Sequence, residues 1–202
     1  MNARPSLAAS SEALRECIVG GGVALFPTDT VYGLCCDPES AAAVARLYAL
    51  KGRPADKPAA LLCFSLATAL ALLPEAGERT RAALGALLPG PVTVLLANPL
   101  RRFPLAGGDL LGLRVIDIGL SLATPVLQSS ANRSGGRDAR RLQDVARAIR
   151  DRADLVLDGG TLAGKPSTVI DLSTIEHGGR WRVLRHGAFS EADIARALDG
   201  PV

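Results

Sequence analysis

The stretch Val23-Ala24-Leu25-Phe26-Pro27-Thr28-Asp29-Thr30-Val31-Tyr32-Gly33-Leu34-Cys35 decides the fold class. Val23 to Phe26 is a short apolar run that reads as a buried strand, Pro27 ends it, and Val31 to Cys35 reads as a second strand. Only the polar turn Thr28-Asp29-Thr30 separates them. A parallel connection needs a dozen or more residues, so strands this close imply an antiparallel pair within a mixed sheet. On the N-terminal side, residues 7–20 place Leu7, Leu14, Cys17 and Ile18 near one helical face, and Gly20-Gly21-Gly22 stop that helix. On the C-terminal side, Glu39 to Leu50 reads as a helix with Val44, Leu47 and Tyr48 inward, ended by Lys51-Gly52-Arg53-Pro54.

The alternation continues along the chain. Ala60 to Phe64 is a strand, helices follow at about 66–73 and 78–88, and Pro89-Gly90-Pro91 punctuates the chain before the strand Val92 to Ala97. Gly112 to Ile116, Val126 to Ser129, Leu155 to Leu157, Thr168 to Leu172 and Trp181 to Leu184 are further strand candidates. Leu142 to Arg152 reads as an amphipathic helix. The last helix opens at Ser190-Glu191-Ala192-Asp193, a variant capping box, with Ile194 and Leu198 on one face. No repeat or linker divides the 202 residues. The expected architecture is one α/β domain spanning 1–202, with a core at about 10–190. It is built on a twisted mixed sheet of about seven strands with helices on both sides.

Composition narrows the function. The chain is 48% hydrophobic and 21% charged, with a net charge of +3, which excludes a disordered chain. The longest apolar-rich run, Ala59 to Leu73, is broken by Ser65 and Thr68 and is too short for a membrane span. The N-terminus lacks a basic region followed by an apolar stretch, so a cytoplasmic location is expected. Cys17, Cys35, Cys36 and Cys63 form no CxxC pair and read as thiols in a reducing compartment. With only His177 and His186 beside them, no metal site is expected.

Polar residues collect in four loops between the apolar runs: Pro27 to Thr30, Lys51 to Pro58, Ser129 to Gly136 and Gly164 to Thr168. The second places Lys51, Arg53 and Lys57 within seven residues, held by a glycine and two prolines. Fixed cations can grip a polyphosphate; equally, they suit the C-terminus of a helix. The third loop offers hydroxyls, the Asn132 amide and glycines that admit a ligand close to the backbone, or it forms a plain Asx/Ser turn. No GxxxxGK[ST], GxGxxG or GxSxG motif occurs. The candidate site is therefore one of cations and hydroxyls without an obvious general base, suited to chemistry by positioning and electrostatics.

Six segments occur in a telling order: Pro27 to Leu34, Lys51-Gly52-Arg53 with Asp56-Lys57, Pro89 to Thr93, Gly112 to Val115, Ser130-Ala131-Asn132 with Ser134-Gly135, and Ser167 to Leu172. Together they resemble the YrdC/TsaC family, the threonylcarbamoyl-AMP synthases, in its short single-domain form. The resemblance implies an α/β domain around a basic concave cavity. It implies a nucleotidyltransferase that makes L-threonylcarbamoyladenylate and pyrophosphate from L-threonine, bicarbonate or CO2, and ATP. A downstream threonylcarbamoyl-transferase complex would then modify adenosine 37 of tRNA, and direct contact with tRNA or double-stranded RNA is a further implied interaction. Motif by motif, Thr30, Arg114, Ser130 and Ser167 would hold L-threonine. Lys51, Arg53, Lys57, Asn132, Arg140 and Arg185 would hold ATP, with Lys51 and Arg53 the most critical. Mg2+ would accompany ATP.

The chain also departs from the pattern. The segment between Arg114 and Ser130 is short, so the helix expected there is reduced or lost. Leu62-Cys63 stands where many long relatives carry histidine, and the second domain of the long form is expected to be absent. Leu62-Cys63 and Lys165-Pro166 are also similar to the YciO-like branch, which makes a non-catalytic RNA-binding protein the alternative. A third reading is a carbamoyl-adenylate enzyme acting on another substrate.

Overall fold

A computed structural model describes residues 7–54 and 57–199. Ala55 and Asp56 of the second loop lie outside the described residues, as do both chain ends. In order, the elements are α1 (Leu7–Val19), β1 (Ala24–Pro27), β2 (Tyr32–Cys36), α2 (Ala41–Lys51), β3 (Ala60–Cys63), α3 (Leu66–Ala71) and α4 (Glu78–Leu87). Then come β4 (Val92–Ala97), β5 (Leu110–Val115), β6 (Val126–Ser130), α5 (Arg147–Arg150), β7 (Leu155–Val156), β8 (Thr168–Asp171), β9 (Arg182–Arg185) and α6 (Glu191–Asp199).

One mixed sheet runs β7-β1-β2-β6-β3-β5-β4-β8-β9. β1 and β2 pair antiparallel, as their short separation requires, while β3 and β5 pair parallel. The sheet has nine strands among the described residues rather than about seven. Its edges, the two-residue β7 and the four-residue β9, fall on the strands expected at Leu155 to Leu157 and Trp181 to Leu184, and they are too short to bury much surface of their own.

Local chemistry explains the helix ends. Ser40 caps α2 by accepting from the Ala43 N–H at 3.3 Å, and Gly52 closes it in the left-handed region at φ 58°. The segment expected as one helix over 142–152 is instead a 3-10 turn at Leu142–Asp144 followed by α5. The Asp144 carboxylate accepts from the Arg141 backbone N–H at 3.0 Å, and Val145 and Ala146 are extended. That bond caps the start of the turn, and the departure of Val145 and Ala146 from helical angles separates it from α5. Between β5 and β6 no helix forms; Leu120 and Leu122 of that connection fill the core directly.

Strand pairing decides what each face does. On one face, Leu25, Leu34, Leu61, Val94, Leu113 and Ile170 pack beneath α2, α3, α4 and α6 in the larger core. On the other, α1 lays Leu14 and Ile18 over Ala24, Phe26, Cys35, Leu62 and Val126. α1 covers only part of that face. Register continues the same face through Gly33 opposite Ser130, Gln128 opposite Ala60, Leu62 opposite Arg114, Gly112 opposite Leu95, and Thr93 opposite Val169 opposite Arg185. There the sheet is left open as the floor of a cavity.

Candidate active site

The cavity has a volume of about 340 Å³. Thr93, Gly112, Arg114, Gln128 and Ser130 form its floor, and Thr30, Arg53, Pro58, Ala106, Asp138, Ser167 and Arg185 stand around it.

Arg114 is the organising residue. It lies on β5 near the middle of the sheet and is only 4% exposed. Its Nη2 donates to Asp29 Oδ1 at 2.6 Å and to Thr30 Oγ1 at 3.2 Å, and its Nη1 donates to Gln128 Oε1 at 3.1 Å. Burial pulls the Arg114 guanidinium down from its ordinary value while Asp29 opposes that shift. Burial likewise pushes the Asp29 carboxyl up, against the lowering influence of Arg114. Asp29 Oδ2 and Arg114 Nε are both buried without a hydrogen-bond partner.

The turn before β2 aims Thr30 at this group. Thr28 Oγ1 donates to the Val31 carbonyl at 2.6 Å and accepts from the N–H groups of Thr30 and Val31, each at 3.2 Å. The hydroxyl thus supplies the bonds that hold the turn. Across the cavity, Ser167 and Thr93 share a 2.8 Å hydroxyl contact. Arg185 donates to the Ser167 carbonyl at 2.7 Å, which ties β9 to the site.

The cations behave differently from one another. Lys51 ends α2 and is 2% exposed; it does not line the cavity. Its Nζ donates to the Ser130 carbonyl and to the Asn132 carbonyl and side-chain oxygen, the latter two at 2.8 and 3.1 Å. It thereby holds the Ser130–Asn132 loop in place, and burial with the nearby Arg53 charge pulls it down to about 8. Asn132 stands behind Ser130, accepting its hydroxyl at 2.5 Å and donating to the Gly136 carbonyl at 2.5 Å. Arg53 does line the cavity, anchored to the Lys57 and Pro58 carbonyls at 2.7 and 2.8 Å and lying over the Tyr48 ring at 5.9 Å.

Of the residues singled out in the sequence, the cavity brings together Thr30, Arg53, Arg114, Ser130, Ser167 and Arg185. Lys51 and Asn132 support it from behind. Lys57 is exposed and outside the lining, and Arg140 is exposed with its Nε on the Leu162 carbonyl at 2.7 Å. Sequence reasoning missed Gln128, Thr93 and the pairing role of Asp29. A signal for Gln128 was present: Gln128 and Ser130 are two apart on one strand, so they share a face.

The comparisons with known proteins agree with this geometry. The family model Sua5_yciO_yrdC, described as "Telomere recombination", matches residues 16–187. The threonylcarbamoyl-AMP synthase of Marinobacter nauticus is 33% identical over 171 residues, covering 79% of this chain and 90% of the relative. That of Halorhodospira halophila is 38% identical over 150 residues, covering 69% and 77%. Among solved structures, P. abyssi Sua5 complexed with L-threonine superposes with a TM-score of 0.82 at 28% identity over 97% of this chain. This chain spans only 59% of that Sua5. E. coli YciO superposes with a TM-score of 0.78 at 25% identity, covering 95% of each chain. With its fold, its motif order and these matches in agreement, the chain belongs to the Sua5/YciO/YrdC family.

Proposed function

We propose that the protein is an L-threonylcarbamoyladenylate synthase, a nucleotidyltransferase that acts on L-threonine, bicarbonate or CO2, and ATP. One observation carries the reading. A buried guanidinium, Arg114, lies among the hydroxyls of Thr30, Ser130 and Ser167, while Arg53 and Arg185 stand on the more exposed side of the same cavity. The first group suits the carboxylate and hydroxyl of a hydroxy-amino acid, the second the phosphates of a nucleotide.

The product requires two new bonds. The amine nitrogen of threonine joins the carbon of CO2 with release of a proton, or that of bicarbonate with release of water. An oxygen of the resulting carbamate then joins the α-phosphorus of ATP as the bond to the leaving pyrophosphate breaks. The chain contributes position and charge rather than a covalent nucleophile. Arg114 and the hydroxyls orient the amino acid, Arg53 and Arg185 neutralise phosphate charge, and Lys51 fixes the loop that carries Ser130. Among the described residues no cluster of three metal-ligating side chains exists. The divalent ion, Mg2+ in this reading, belongs to the ATP substrate and is held by its phosphates.

The alternative, a non-catalytic RNA-binding protein, is compatible with the same fold, which also superposes on E. coli YciO. The synthase reading is favoured by the identity to named synthases together with the Lys51–Asn132 and Arg53 arrangements. RNA contact remains a compatible addition: Arg133, Arg137 and Arg140 are exposed on the loop that contributes Asp138 to the cavity. A threonylcarbamoyl-transferase complex would consume the product. The test is to incubate the protein with ATP, L-threonine and bicarbonate and look for threonylcarbamoyladenylate by mass. Formation only when all three are present supports the reading; its absence with active ATP binding overturns it.

A further inference from the structure

Arg114 is a less open fork than its type suggests. Both Nη2 hydrogens are committed, one to Asp29 and one to Thr30, and one Nη1 hydrogen goes to Gln128. Nε is sealed from solvent. A guanidinium has five N–H donors, so a single Nη1 hydrogen remains for a ligand. A carboxylate brought to this point therefore needs another donor for its second oxygen.

Gln128 is placed to supply it. Its side chain lines the cavity and the residue is 4% exposed. Arg114 is only a donor, so the carboxamide atom facing it must be Oε1, which leaves Nε2 on the other side. Among the described residues Gln128 makes no other side-chain hydrogen bond, and Nε2 is not among the sealed, unpartnered polar atoms, so it is accessible from the cavity that Gln128 lines. The opposing backbone is shaped for it. A Cβ at Gly33 would come within 2.6 Å of Nε2, so the bare glycine of Val31-Tyr32-Gly33 makes room for this amide. A buried amide donor without an acceptor is costly unless a ligand or water completes it.

Resting on the synthase reading, we propose that Gln128 is a substrate-contacting and positioning residue: Oε1 orients Arg114, and Nε2 donates to the α-carboxylate of the amino-acid substrate. It acts on the amino-acid side of the cavity and leaves the phosphate side untouched.

The test separates the two functions of the amide. Gln128→Glu keeps the shape and the acceptor for Arg114 while replacing the donor with a second carboxylate oxygen and adding a negative charge, for which the neutral Gln128→Leu is the control. Gln128→Leu removes both. L-threonine and ATP binding are measured separately by calorimetry on the full chain, with thermal melting as the check on folding. The expected result is L-threonine binding at least about tenfold weaker in Gln128→Glu, the scale for losing a hydrogen bond to a charged group, with ATP affinity within twofold of wild type. Gln128→Leu weakens L-threonine binding as well. L-threonine binding within twofold of wild type in a folded Gln128→Glu overturns the proposal and leaves the synthase reading standing. A wild-type protein that binds ATP but no L-threonine overturns both.

Discussion

Arg114 and Asp29, 85 residues apart in the chain, meet through a 2.6 Å ion pair in the cavity wall, their side chains 5% and 19% exposed. The pair joins the turn before β2 to the middle of the sheet, so the first polar loop and the floor of the site are one rigid unit. Removing one member of a buried pair leaves an uncompensated charge, which costs far more than the intact pair contributes.

Asp29→Ala is therefore expected to lower unfolding free energy by about 3 kcal/mol, and Asp29→Asn by less because an amide oxygen still accepts from Arg114. Urea unfolding of both variants checks this; equal, near-zero losses would mean the pair carries no structural role. The raised Asp29 carboxyl has its own consequence. A group raised on folding contributes stability below its unfolded pKa and loses it as pH rises through the folded one. The Coulomb attraction to Arg114 favours the ionised carboxylate and offsets part of the burial within that same shift. Comparing wild type with Asp29→Asn across the acidic range reads the net of the two.

Lys51 is expected to behave as a structural cation. Lys51→Met should lose about 1–3 kcal/mol, because the Ser130 and Asn132 oxygens lose their donor. Burial pulls Lys51 from 10.5 to about 8. Between those values the unfolded chain holds a proton that the folded chain has released, so stability due to this residue rises with pH across that window, by up to roughly 3 kcal/mol. The wild-type-minus-variant difference in unfolding free energy, measured at pH 7.5 and pH 10, isolates it from the cysteines. A difference that falls with pH contradicts the assignment.

Arg53→Ala should show the opposite balance. Its side chain is partly exposed and rests on two carbonyls, so the stability loss should be about 1 kcal/mol. Loss of a charged phosphate contact should lower kcat/KM for ATP by roughly 10- to 100-fold. Kinetics and melting on the same preparation separate the two effects; unchanged ATP kinetics would remove Arg53 from the phosphate site.

Amino-acid choice tests the hydroxyl lining. A site that hydrogen-bonds a substrate hydroxyl leaves its own groups unpaired with an isostere lacking it. L-threonine should be preferred over L-valine, with L-serine between. Arg114→Lys should be damaging, since one ammonium cannot serve Asp29, Thr30 and Gln128 in a plane. Equal turnover of valine and threonine would favour a carbamoyl-adenylate enzyme with another substrate.

The hairpin at 23–35 was legible because its spacing allows only an antiparallel pair, and the caps at Ser190 and Gly52 because each supplies a bond or a backbone angle the helix end needs. The 142–152 segment was not, because its apolar spacing suits one helix and does not mark Val145 and Ala146, whose non-helical angles interrupt it. In the site, Arg53 and Lys51 were indistinguishable as loop cations. Whether a lysine at a helix end turns inward depends on carbonyls 79 and 81 residues away, which local sequence does not report. Gln128 shares a strand face with Ser130, but its pairing with Arg114 was hidden for the related reason that Arg114 lies on a strand with which β6 is not paired.

Pyrophosphate release from ATP, measured with L-threonine and bicarbonate each present or omitted, tests the central claim most directly. Release that requires both co-substrates, and that falls sharply in Arg53→Ala, is the result predicted. ATP binding without any pyrophosphate release in the complete mixture, or release indifferent to L-threonine, would contradict it.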